Sequence, residues 1–66
     1  MVRGKGMKIE EEIKYGDTKL RLIQLESGVR YIQMWSYLSM KWNNLYSDNI
    51  EERWNFWKKM EKERNE

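Results

Sequence analysis

The alternation of apolar and charged positions is the first regularity along the chain. Over residues 7–15 the apolar side chains occupy every second position except Glu11, with charged side chains between them. Side chains of a β-strand point alternately to two faces, so this period of two predicts a half-buried strand. Gly16-Asp17 follows as a two-residue loop, because glycine adopts the positive φ that tight hairpin turns need. The pattern therefore predicts a hairpin whose second strand covers about 18–26.

A second turn signal, Ser27-Gly28, precedes a segment that fits two structures. As a strand over about 29–38 it continues the hairpin with β-branched and aromatic residues, and 39–47 is then a short fourth strand or an irregular connection. As a helix, 29–45 offers an apolar stripe at three- and four-residue spacing. We favour the strand, because the preceding turn is a hairpin signal and strong helix formers are few.

Two-residue loops at both turns would fix the register of the sheet. They place Glu12 opposite Arg21, which is favourable, and Lys14 opposite Lys19, which is not. They also place Leu20 opposite Trp35. One face then carries Ile9, Ile13, Tyr15, Leu20, Leu22, Tyr31 and Trp35. The other face carries Lys8, Glu10, Glu12, Lys14, Lys19, Arg21 and Arg30 together with Ile23, Leu25, Ile32 and Met34.

A C-terminal helix is predicted over about 49–64. Asp48 is a good N-cap with Glu51 three residues later, and basic residues gather towards the end of the segment. The apolar stripe consists of Ile50, Trp54, Trp57 and Met60, with Phe56 to one side. One helix can cover one face of the sheet, and we expect it to cover the face that carries Leu20 and Trp35. The predicted fold class is α+β, a small antiparallel sheet of three to four strands followed by one amphipathic helix.

Composition excludes much of the chemistry open to larger proteins. The chain has no histidine and no cysteine, which removes imidazole bases, thiolate nucleophiles, disulfides and Cys/His metal sites. The carboxylate pairs Glu10/Glu12 and Glu51/Glu52 are explained by a cross-strand partner and by the helix dipole. No glycine-rich phosphate loop follows a strand. We therefore expect no catalytic site, no cofactor and no metal.

Size and charge bear on partners and location. The chain has 66 residues, and domains of that size bury only about 60% of the surface of the unfolded chain, so we expect a homodimer. Residues 1–6 contain two glycines and two basic residues and are predicted to form a flexible basic arm, leaving 7–66 as one domain. The basic start leads into Glu10 rather than into an apolar run, and no segment is apolar enough for a membrane span. We expect a cytoplasmic protein without a membrane partner.

Between residues 18 and 46 there are four basic residues and one acidic residue, an excess of three positive charges in a segment rich in aromatic rings. Basic side chains neutralise phosphates and aromatic rings stack on bases, so the leading hypothesis is non-catalytic nucleic-acid binding, single- or double-stranded. Its phosphate contacts would be Lys19, Arg21, Arg30 and Lys41, and its stacking residues Tyr37 and Trp42. Tyr31, Trp35 and Tyr37, with Gln33 between them, would form such a platform on an open face, but the predicted register places Tyr31 and Trp35 under the helix.

The alternative hypothesis is a small regulator or inhibitor, of the type that phages and plasmids encode, that binds another protein. An uncovered sheet face with apolar residues among basic ones invites a partner. The contact residues would be Ile23, Leu25, Ile32 and Met34.

The element order of the C-terminal part resembles two nucleic-acid-binding families in outline. The strand around 29–35, a short connection and a capped helix with Trp54 are similar to the single-strand-binding coactivator domains of the whirly type. Integrase arm-binding domains share three strands and a C-terminal helix. The resemblance lies in the order of elements and in no specific motif, and it implies nucleic-acid binding.

Overall fold

The fold is a four-stranded antiparallel sheet followed by one helix, which confirms the predicted α+β class. A computed structural model describes residues 6–64. The predicted arm over 1–6 lies outside the described residues except for Gly6. The strands follow one another in chain order across the sheet. They are β1 (Lys8–Tyr15), β2 (Thr18–Gln24), β3 (Arg30–Ser36) and β4 (Lys41–Tyr46), and helix α1 is Ile50–Arg64. The helical alternative for 29–45 is wrong, because that segment forms β3 and β4.

The core lies between α1 and one face of the sheet. Trp54 is the buried residue of the helix and is 3% exposed. It packs with four buried side chains of the sheet, namely Ile13, Leu20, Leu22 and Ile32. Tyr15, Met34, Tyr46, Ile50 and Trp57 surround this cluster. The predicted apolar stripe of the helix is confirmed at Ile50, Trp54 and Trp57, which pack in or against this cluster. Phe56, predicted to one side of the stripe, is 57% exposed.

The start of the helix differs by one residue from the predicted cap. The backbone N–H of Arg53 donates to the carbonyl oxygen of Asn49, so Asn49 and not Asp48 occupies the N-cap position. Asp48 instead holds Arg53, whose Nε donates to the Asp48 carbonyl oxygen at 3.0 Å. The two side chains are also paired at 3.6 Å.

The register of the β1–β2 hairpin is the predicted one near the turn. Ile13 pairs with Leu20, Glu12 with Arg21 and Lys14 with Lys19. Farther from the turn β1 has a bulge, where the register shifts between Ile9 and Glu11. The bulge coincides with the single break in the alternating pattern of the sequence. It turns Ile9, which was predicted on the helix side, to the row that contains Ile23 on the open side.

The register of the β2–β3 hairpin differs from the prediction by one residue. Leu20 pairs with Met34 and not with Trp35. The loop has three residues, 26–28, because the N–H of Leu25 donates to the carbonyl of Val29 at 2.8 Å. Gly28 closes this loop at φ +98°, a conformation that side chains strongly disfavour. Three-residue hairpin loops with such a glycine are common, whereas the prediction assumed two residues.

A shift of one residue exchanges the two faces of β3. Ile32 and Met34 were predicted on the uncovered face and lie on the helix side, Ile32 being fully buried. Arg30 was also predicted on the uncovered face. It lies on the helix side, where it contacts Glu10 at 3.2 Å and Glu51 at 4.0 Å. Tyr31 and Trp35, predicted under the helix, lie on the open face.

Both edge strands of the sheet are irregular. β1 has the bulge described above, and β4 has another, where adjacent residues Ile32 and Gln33 of β3 pair with Tyr46 and Asn44. Bulges at edges twist the strand and discourage pairing with a further strand. The helix of the described residues is not long and apolar enough to cross a membrane.

Candidate nucleic-acid interface

Three aromatic rings form a cluster on the face of the sheet opposite the helix. Trp35 of β3 pairs with Trp42 of β4, and their ring centroids are 5.4 Å apart at an interplanar angle of 67°. Tyr37, in the turn after β3, lies edge-on to Trp35 at 6.4 Å. Trp35 and Trp42 are half-buried and Tyr37 is 56% exposed. We call Trp35, Tyr37 and Trp42 the aromatic cluster.

A row of four polar side chains crosses the sheet beside the aromatic cluster. Glu12, Arg21, Gln33 and Asn44 are successive partners on β1, β2, β3 and β4. The Arg21 Nε donates to Gln33 Oε1 at 2.7 Å, and Gln33 Nε2 donates to Asn44 Oδ1 at 2.8 Å. These bonds fix the orientation of the Gln33 amide and hold the Asn44 amide oxygen towards Gln33. We call these four residues the polar row.

Arg21 joins the polar row to the aromatic cluster. Its guanidinium carbon lies 4.2 Å from the centroid of the Trp42 ring, a cation–π contact. Burial lowers the pKa of Arg21, and the charge of Glu12 acts in the opposite direction. Arginine nevertheless remains charged at any physiological pH. The contacts of Arg21 hold Trp42 in place, a role that the sequence prediction of a simple phosphate contact did not include.

A recess of about 180 Å³ lies where the β1–β2 hairpin approaches Trp42. The side chains that line it from the open face are Glu12, Lys14, Lys19 and Trp42, and Ile13 and Leu20 complete the lining. Within residues 6–64, the Lys14, Lys19 and Glu12 side chains have no ion-pair partner within 4.0 Å. We call this cavity the Trp42 recess.

The structure brings together only part of the predicted nucleic-acid site. Lys19, Arg21 and Trp42 share the open face, with Tyr37 next to Trp35. Lys41 is exposed and alternates with Trp42 along β4, which directs it to the other side of the sheet. Arg30 was predicted to contact phosphate. It is instead paired with Glu10 through two hydrogen bonds of 3.2 Å.

The predicted apolar contact patch does not form. Ile32 is fully buried under the helix, and Met34 packs against the same core. Ile23 is on the open face but only 2% exposed, with Ile9 and Tyr31 as its cross-strand neighbours. Leu25 is half-buried beside the 26–28 loop. The one-residue error in the β2–β3 register accounts for the misplacement of Ile32 and Met34.

Sequence reasoning left Trp35, Gln33, Asn44 and Lys14 out of the predicted site. Trp35 and Gln33 were excluded by the wrong register alone. The signal that could have corrected it is Glu26-Ser27-Gly28 itself, since glycine at the third position fits a three-residue loop with a left-handed last residue. The predicted register puts Lys14 on the correct face, where its pairing with Lys19 is unfavourable for the hairpin and gives no sign of a phosphate contact.

A second recess lies on the helix side of the molecule. It measures about 370 Å³ and is lined by Tyr46, Asn49, Glu52, Arg53, Phe56 and Trp57. The Arg53 guanidinium lies 4.2 Å from the centroid of the Tyr46 ring and closes one side of it. Among the described residues no three acidic side chains come together in a way that could hold a metal ion.

Comparison with known proteins identifies no relative of the chain. No protein-family model matches the chain, and neither the curated proteins nor the solved structures give a significant match.

Proposed function

We propose that the protein binds single-stranded nucleic acid on the open face of its sheet. The observation that carries the proposal is the aromatic cluster, three neighbouring rings on a face that the helix leaves uncovered, beside the free ammonium groups of Lys14 and Lys19. Aromatic rings on a sheet are suited to unstacked bases, and lysines beside them to the phosphates that link those bases.

The rings favour a single strand over a duplex. Bases in a duplex are stacked on one another, so their faces are inaccessible to Trp35 or Tyr37. The major groove of a duplex admits a helix or a two-stranded ribbon, whereas the open face is four strands wide. A single strand can lay its bases along the aromatic cluster without that restriction.

The position of the core on the other face of the sheet supports the same proposal. The buried core uses the opposite face, so the aromatic cluster is not needed to fill it. Arg21 and the polar row hold Trp42 and the amides in fixed orientations before any ligand binds. A surface that is ordered in advance loses less conformational entropy on binding.

The test is replacement of one ring. Because a stacked base contributes about 1–3 kcal/mol, Trp35→Ala is expected to weaken binding of a fluorescein-labelled 12-nucleotide DNA strand by roughly 5- to 150-fold in anisotropy titrations at 50 mM salt. Phe56→Ala is the matched control, because Phe56 is an exposed ring on the helix. The affinity of this variant for the DNA strand should equal that of the unmodified protein. Circular dichroism verifies that both variants are folded.

Two outcomes would contradict the proposal. Absence of saturable binding by the unmodified protein at 50 mM salt would exclude the function. Equal affinity of Trp35→Ala and the unmodified protein would exclude the aromatic cluster as the binding surface.

A 12-base-pair duplex of the same sequence should bind more weakly than the single strand.

A further inference from the structure

We infer that the Trp42 recess is a subsite for one base of the bound strand and that it prefers cytosine to thymine or uracil. This inference rests on the proposed function and specifies its ligand. It is carried by the lining of the recess, which combines the indole of Trp42, the two lysines Lys14 and Lys19 and the carboxylate of Glu12.

The size of the recess limits what enters it. Pockets for drug-sized ligands begin at roughly 300 Å³. At about 180 Å³ the Trp42 recess has room for a single ring system, with the sugar and phosphate outside. Trp42 supplies an aromatic wall, and the contact with Arg21 at 4.2 Å keeps that wall in position.

The lysine pair accounts for the position of the phosphates. Lys14 and Lys19 are direct cross-strand partners, an arrangement of like charges that destabilises a hairpin. Neither ammonium group has a carboxylate within 4.0 Å among the described residues. An anion at the mouth of the recess would relieve this repulsion, and the phosphates that flank a bound base are such anions.

Glu12 supplies the discrimination between bases. Its ionised carboxylate only accepts hydrogen bonds. Cytosine presents an amino group that donates, and acidic side chains are known to accept from it. Thymine and uracil present a carbonyl oxygen at the corresponding position, which a carboxylate repels. The recess can therefore distinguish cytosine from thymine or uracil, which have the same ring size, by the amino group or carbonyl oxygen that faces Glu12.

The experiment compares two homopolymers at pH 7.5 and 50 mM salt. We expect the labelled 12-mer of deoxycytidine to bind about five- to tenfold more tightly than the 12-mer of thymidine, as one base-specific hydrogen bond allows. Glu12→Gln should reduce this ratio to below about twofold, because the amide of glutamine both donates and accepts. Glu63→Gln is the matched control, since it removes the same charge from an exposed position on the helix and should keep the ratio.

The lysine pair is tested with the same two strands. Lys14→Gln and Lys19→Gln should each weaken binding of both 12-mers by a similar factor, because phosphates carry no base identity. A loss confined to one homopolymer would contradict the assignment of the lysines to phosphate.

The outcomes separate this inference from the function on which it rests. If neither 12-mer binds, the proposed function itself fails. If both bind equally and Trp35→Ala weakens both, the function holds and the cytosine subsite is excluded. If cytidine is preferred but Glu12→Gln leaves the ratio unchanged, Glu12 is not the discriminating group and the inference is overturned.

Discussion

At the scale of single residues, Trp54 is the buried side chain that the helix adds to the core. It is 3% exposed and belongs to one cluster with buried side chains of β1, β2 and β3. Its indole Nε1 has no hydrogen-bond partner among the described residues, so its stabilising contacts with this part of the chain are apolar.

Replacement of this ring should be the most damaging change in the helix. Trp54→Ala is expected to lower the free energy of unfolding by about 3–5 kcal/mol, because it removes a large buried side chain and leaves a cavity. Urea denaturation followed by circular dichroism measures the loss. Phe56→Ala, two positions away and exposed, should cost less than about 1 kcal/mol. Equal losses for the two variants would mean that the helix does not pack through Trp54.

At the scale of elements, the two faces of β3 differ: one packs in the core, and under the proposed function the other binds the strand. Ile32→Ala should lower the free energy of unfolding by about 2–5 kcal/mol, because Ile32 is fully buried against Leu22 and the helix. The folded fraction should bind the 12-nucleotide strand with unchanged affinity. Urea denaturation and anisotropy titration of the same samples measure both quantities, and a loss of affinity beyond the unfolded fraction would contradict the division.

The accuracy of the sequence prediction also varies by element. Gly16-Asp17 gives the β1–β2 register correctly, because only two residues separate the strands. The helix is found from its apolar spacing, which continues from Ile50 to Met60 over about three turns. The second hairpin fails, because Ser27-Gly28 indicates a turn without fixing whether Glu26 belongs to the strand or to the loop. That choice of one residue moves Trp35 from the core to the surface, so most of the candidate site depended on it.

At the scale of the whole molecule, the charge is modest. The net charge is +2, and the open face contributes Lys14, Lys19 and Arg21 against Glu12. Single-strand binding that neutralises two to three phosphates should show a slope of log affinity against log salt of about −1.4 to −2.1. Affinity should then fall roughly tenfold between 50 and 200 mM salt in anisotropy titrations. A slope near zero would point to a ligand without phosphates.

The size of the molecule leads to a prediction about assembly. Six apolar side chains are buried within the described residues, a small core for a chain of this length. We expect a homodimer, and the midpoint of urea unfolding should therefore rise between about 2 and 200 µM protein as mass action favours the folded dimer. Sedimentation equilibrium gives the mass directly. A midpoint independent of concentration, together with a monomer mass, would contradict the prediction.

The three-residue loop at 26–28 has a consequence for how such a chain can change by insertion and deletion. Hairpins also close with two-residue loops, so loss of one residue from 26–28 would keep Leu25 opposite Val29 and leave Ile32 and Met34 on the helix side. A surface loop is where deletions are usually tolerated. In this protein a codon deleted from the loop would therefore leave the displayed chemistry as it is, whereas a codon deleted at the start of β3 would bring Ile32 and Met34 to the open face in place of Tyr31 and Trp35.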